Sequence, residues 1–289
     1  MRFRGSRILP GLLLLVALPA AAEKNLAGMW SATYAEDWSD RVIGPGLGDY
    51  AGLPINAANR LRAQSWSAAL IALPEYQCRV HPADYANSFG DIRIWDKRDP
   101  LSEALVALHL QHSGWQMRRT IWMDGRAHPP PHAQHTAMGF STGVWKGHVL
   151  TVKTTHLKEG WLRRNGVARS DQATLTEHFI RHGDILSWTV IVNDPVYLEE
   201  PFIRNREYRY SIDSQLASDP CIPIVEMVRE PGSIPHHLPG QNPELHLFSE
   251  KYRIPFEAAM GGDATMYPEY LQVLKILPVP APARAQGDP

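Results

Sequence analysis

Between residues 91 and 211 the chain passes through eight short segments rich in Val, Ile, Thr, Trp and Phe, separated by turns and loops, several of them bearing Gly. Side chains alternate across a strand, and β-branched and aromatic residues suit its half-buried surface, so this pattern reads as antiparallel strands. The strands are expected near residues 92–95, 103–111, 115–123, 140–145, 148–156, 173–182, 185–193 and 203–211. Eight strands in meander order favour a closed or nearly closed barrel, because closure removes exposed sheet edges. A two-sheet sandwich is the alternative.

What flanks that core divides the chain further. Arg2, Arg4 and Arg7 precede an apolar run from Ile8 to Leu18, and Pro19 then leads into Ala20-Ala21-Ala22, the layout of a secretory signal peptide cleaved before Glu23. The apolar run is about 11 residues, whereas a membrane-spanning helix needs about 20. The expected location is therefore periplasmic or secreted, with no membrane span. Residues 53–73, rich in Ala, Leu, Arg and Gln between Pro54 and Pro74, read as one amphipathic helix. Five regions follow: signal peptide 1–22, N-terminal extension with one helix 23–90, β-barrel core 91–213, irregular Pro-rich C-terminal extension 214–276 and disordered tail 277–289.

Two cysteines remain, Cys78 and Cys221, and in an oxidising compartment such a pair is more often bridged than free. Two separately buried thiols are the alternative. With 29 basic and 30 acidic residues interspersed along the chain, no electrostatic footprint for nucleic acid exists.

Counting through the turns assigns faces to the strands. A His182-Gly183 hairpin loop sets Phe179 opposite Leu186, Glu177 opposite Trp188 and Leu175 opposite Val190, all on the apolar face. A carboxylate there loses solvation, and holding a proton near neutrality is what a general acid or base requires. The alternative is an ion pair with an inward Arg119 that merely satisfies a buried charge. A Lys146-Gly147 loop likewise places Trp145, His148, Leu150, Val152, Thr154 and His156 on one face. His156 then ends an apolar face, where a lone histidine is more often a satisfied rim residue. Paired with Glu177 it can divide acid and base roles.

Basic residues gather beside Trp161 in the loop between residues 156 and 171. Arg163, Arg164 and Arg169 can grip a ligand oxyanion, or the loop is solvated and pinned by Asp171 and Glu159. His128, His132 and His135 invite a zinc reading, completed by His109 or His156. The intervening prolines oppose it by extending the chain, and neither HExxH nor a Cys-based metal pattern occurs. No redox cofactor is expected, and nucleophile-elbow, P-loop and dinucleotide motifs do not occur.

Residues 119–129 (RTIWMDGRAHP), 138–145 (MGFSTGVW), 163–166 (RRNG), 176–184 (TEHFIRHGD) and 194–198 (DPVYL) resemble a group of secreted bacterial proteins with a shared DGRxHP, GxWxG and DP pattern. The resemblance covers about residues 30–210. Where that group commonly reads WxGD, this chain has His148, so a role for an acid there does not carry over. The resemblance implies a secreted, lipocalin-like barrel and no reaction.

These readings converge on a mainly β, lipocalin-like barrel acting on an apolar or aromatic small molecule by non-redox proton transfer, as a lyase, isomerase or cyclase. Glu177 and His156 are the catalytic candidates, and Arg119, Trp188, Trp145, Arg163 and Arg164 the ligand-binding ones. The competing readings are a carrier that binds such a ligand unchanged and an envelope interaction module. A solidly filled barrel interior favours the module.

Overall fold

The structure, a computed structural model, describes residues 25–33, 45–87, 90–114, 117–216, 221–226, 228–230 and 232–280. The expected signal peptide, residues 1–22, and residues 281–289 of the expected tail lie outside the described residues.

In chain order the strands are β1 (Gly28–Ala32), β2 (Ile92–Arg98), β3 (Leu105–His112), β4 (Arg118–Trp122), β5 (Phe140–Lys146), β6 (Val149–Thr155), β7 (Gly160–Trp161), β8 (Ala168–Arg169), β9 (Thr174–His182), β10 (Ile185–Asn193) and β11 (Phe202–Ser211). Among the described residues nine of them close into one barrel in the order β1-β11-β10-β9-β6-β5-β4-β3-β2, while β7 and β8 pair separately. A closed ring of wholly antiparallel neighbours needs an even number of strands. With nine, one junction has to be parallel, and it falls between β4 and β5, where Ile121 pairs with Ser141 and Trp122 with Thr142. The chain from β4 to β5 must therefore travel back along the barrel, and the Pro-rich stretch 123–139 makes that journey.

The closing strand β1 was not expected from sequence. Its Gly-Met-Trp-Ser-Ala run lacks β-branched residues, so propensity is silent, and tertiary packing decides it. Trp30 is fully buried, and its indole N–H donates to the Leu26 carbonyl at 2.9 Å. Both hairpin loops also lie one residue later than counted. They are Gly147-His148 and Gly183-Asp184, so that Lys146 pairs with Val149 and His182 with Ile185. The left-handed φ of Gly147 (61°) and Gly183 (58°) explains the shift: a two-residue hairpin with glycine first takes the tight turn that matches strand twist. Glu177 consequently pairs with Val190 and Phe179 with Trp188. Sliding a two-residue loop by one changes each partner by two, so the inward faces are those expected.

The expected helix over residues 53–73 is shorter. Helix α1 spans Ala57–Ser65, capped by the Asn56 side chain, which accepts from the Asn59 N–H at 3.0 Å. Trp66 is extended and pairs with His236 in an isolated bridge. A 3-10 turn, Ala68–Ala72, follows. The irregular C-terminal extension contains short helices at Leu247–Tyr252, Phe256–Ala259 and Tyr270–Leu274. No helix among the described residues is long and apolar enough to cross a membrane.

Cys78 and Cys221 form a disulfide, with Cα atoms 5.6 Å apart across 143 residues of sequence. It fastens the C-terminal strap to the connector after α2 (Pro74–Gln77). Gln77 extends the grip, donating to the Ile224 carbonyl and accepting from the Ile224 N–H.

Candidate functional site

Glu177 sits at the middle of β9, pointing inward between Leu175 and Phe179, and is 0 % exposed. Its Oε1 accepts from Arg119 Nη1 at 2.8 Å and from the Trp188 indole N–H at 3.1 Å. Its Oε2 accepts from Arg119 Nη2 and from the Thr154 hydroxyl. Arg119 in turn donates from Nε to Ser141 Oγ at 3.0 Å and from Nη2 to Thr154 Oγ1 at 2.6 Å. Five neighbouring strands, β4, β5, β6, β9 and β10, each contribute one side chain. The cluster thus spans the parallel β4–β5 junction from the inside, and satisfied buried networks of this kind specify one arrangement of a core.

Space around the cluster is closed. Leu150, Val152, Thr154, Leu186, Trp188 and Tyr208 are each 0 % exposed, so no water-sized void adjoins any of them. Trp145, opposite Leu150 on the inner face, is only partly buried at the end of the barrel.

His156 lies apart from Glu177. Its φ of 58° breaks the strand alternation just after β6. The ring pairs with the Thr155 hydroxyl at 2.7 Å and the Pro130 carbonyl at 2.9 Å. His128 bridges the hydroxyls of Thr155 and Thr142 at 2.7 and 2.9 Å, and His135 reaches the Leu157 carbonyl at 3.0 Å. These histidines staple the returning Pro-rich connection to the outside of β5 and β6. Burial, reinforced by the neighbouring His156 and Lys153, lowers the His128 pKa. His132 is exposed, and His109 stands on β3 against Thr120 and Trp95. Among the described residues no group of three or more His, Cys, Asp or Glu can hold a metal ion.

The loop arginines divide. Arg169 is fully buried, paired with Asp84 at 3.2 Å and donating to the carbonyls of Ser170 and Lys158. Arg163 approaches Asp49 at 3.6 Å. Arg164 has no hydrogen-bond or ion-pair partner among the described residues, and its charge acts on His81 and Tyr85.

Those two residues belong to a cleft of about 640 Å³ outside the barrel, between the N-terminal extension, the β7–β8 ribbon and the C-terminal strap. Trp161 of β7 stands edge-on to Trp66, with centroids 6.1 Å apart, and nearly parallel to Tyr76 at 6.2 Å. Gly166 makes this wall possible: at φ 90°, a Cβ there would meet Trp66 Cβ at 2.5 Å. Trp66 is 9 % exposed, and its indole N–H is buried with no acceptor among the described residues. The Arg79 guanidinium lies 3.7 Å over the Tyr76 ring, and its Nε donates to the Glu75 carbonyl. His81 packs on Tyr85 at 4.7 Å. Burial holds the His81 pKa down to about 4 and pushes the Tyr85 phenol up to about 12. Strap residues Ile234, Pro235 and His236 complete the lining.

Of this cleft, the sequence reading reached only the Trp161 loop. Trp66 falls in the expected helix over residues 53–73, and Tyr76, Arg79, His81 and Tyr85 in the remainder of the expected N-terminal extension. The density of aromatic and basic residues around Cys78 was the signal that marks them.

No family model, curated protein or solved structure matches the chain.

Proposed function

We propose that the protein is an extracytoplasmic binding protein for a small aromatic molecule, held in the outer cleft rather than inside the barrel. The observation that carries this reading is a cleft of about 640 Å³ walled by the rings of Trp66, Tyr76, Tyr85 and Trp161. The volume falls in the range of small-molecule sites, about 300–1,000 Å³. The disulfide agrees with an oxidising compartment.

Proton transfer by Glu177 is less well supported. It would have to begin by withdrawing the carboxylate from two charge-assisted hydrogen bonds with Arg119, in an interior with no adjoining space. Binding without transformation requires no such step.

Indole N–H resonances provide the test. Titration with aromatic fragments should move the Trp66 and Trp161 signals, assigned through Trp66→Phe and Trp161→Phe, and leave Trp188 still. Movement of Trp188 alone would place the ligand in the barrel and overturn the cleft as the site.

A further inference from the structure

Resting on that reading of the cleft, we propose that its ligand is a small aromatic acid, a flat ring carrying a carboxylate that Arg79 receives. The charges around the cleft give the sign. Its lining carries Arg62 and Arg79 against Glu159, and Arg62 already pairs with Glu159 on the rim. One positive charge, that of Arg79, is left over. Neither His81 nor Tyr85 contributes charge at neutral pH, because burial keeps the imidazole deprotonated and the phenol protonated.

Arg79 is arranged to receive an oxyanion. Stacking on Tyr76 fixes the plane of its guanidinium, and the Nε bond to the Glu75 carbonyl fixes its rotation. The two terminal nitrogens have no partner among the described residues, and a planar guanidinium edge matches the two oxygens of a carboxylate. The disulfide neighbour Cys78 holds Arg79 in place, so little side-chain freedom is lost when the anion arrives. On the ligand's other side, Trp161 and Trp66 offer ring faces and edges that suit an aromatic body.

Isothermal titration calorimetry on the mature chain, with three probes sharing one ring, tests this: naphthalene-2-carboxylate, 2-naphthalenemethanol and 2-naphthylmethylammonium. The acid should bind about tenfold or more tighter than the alcohol, as expected for hydrogen bonds to a charged group, and the ammonium most weakly. Arg79→Gln should bring the acid down to the alcohol's affinity without weakening the alcohol. Because Arg79 is exposed, its variant is expected to fold, and circular dichroism checks it. Equal affinities for acid and alcohol would overturn the aromatic-acid inference and leave the cleft reading standing. Selectivity that survives in the Arg79→Gln variant would overturn the assignment to this arginine. Failure of all three probes to bind would overturn the cleft reading itself.

Discussion

Inside the barrel both oxygens of Glu177 accept two hydrogen bonds each, and all three nitrogens of Arg119 donate. In the outer cleft the terminal nitrogens of Arg79 have no partner among the described residues. The contrast separates two uses of polar chemistry in one protein. A network closed on itself holds a fold, whereas a group left open in a walled space is available to something that arrives. The interior cluster looks catalytic in composition, with carboxylate, guanidinium, indole and hydroxyls together. Its geometry is that of a clamp across the parallel strand junction.

The largest expected effect attacks the clamp. Glu177→Gln leaves the Arg119 charge buried without its counter-ion, and losing one member of such a pair costs about 3–5 kcal/mol. The urea midpoint should fall accordingly. Replacing both, Arg119→Met with Glu177→Leu, should recover most of that loss, because apolar residues of similar volume often replace buried pairs without penalty. Cleft ligand affinity in the folded double variant should match the parent. A loss of binding there would tie the interior to function and break the comparison.

Next in size is the strap. Removing the Cys78–Cys221 bridge by serine substitution at both positions should cost about 2–4 kcal/mol, since the bridge constrains a long loop in the unfolded chain. The same change frees the strap that supplies Ile234, Pro235 and His236 to the cleft. Cleft binding should therefore weaken more than stability at working temperature, whereas the interior clamp variants lower stability alone. Calorimetry on the folded fraction separates the two losses.

A third effect comes from His81. Its folded pKa of about 4 lies below the ordinary value of 6.5. Above pH 6.5 both folded and unfolded chains hold it neutral, and its contribution is fully present. As pH falls from 6.5 to 4 the unfolded chain takes up a proton that the folded chain refuses, so stability drops, on the order of 2–3 kcal/mol over that window. His81→Gln should flatten this part of the profile of urea midpoint against pH, with the remaining slope shared by His128 and His109, whose pKa values are lowered in the same direction. An unchanged profile in the variant would show that His81 is not buried against the cleft wall as described.

The difference between the regions also explains what sequence could show. Alternation of Leu175, Glu177 and Phe179 against Leu186, Trp188 and Val190 identified the inward face, because period-two burial is local. It survived the misplaced hairpin loops because a sliding two-residue turn preserves parity. The Arg119 partnership was legible as an alternative for the same reason: each member sits on the inner face of a regular strand. β1 was not legible, since its place is decided by two distant strands, β11 and β2. The cleft lay further still from local pattern. Trp66, Tyr76, Arg79 and Trp161 come from an isolated bridge, a one-turn helix, a connector and a two-residue strand, brought together by a disulfide and a glycine contact that no periodicity encodes. His156 bonds to Thr155 and Pro130, away from the Glu177 cluster, because one left-handed residue at a strand end changes the direction that alternation assigns.

The smallest expected effect bears on the cleft wall. Trp66→Phe removes a buried indole N–H that has no acceptor among the described residues, a gain of about 1–3 kcal/mol, and loses part of a buried ring, a cost of similar size. The two oppose, so the urea midpoint should shift by no more than about 1 kcal/mol. Affinity for naphthalene-2-carboxylate should nonetheless fall by about two- to tenfold, because the smaller ring gives the ligand less wall to pack on. Near-neutral stability with weakened binding is the signature of a wall residue. Clear destabilisation with unchanged affinity would make Trp66 a packing residue like Trp30, and would erase the distinction between the open cleft and the closed interior.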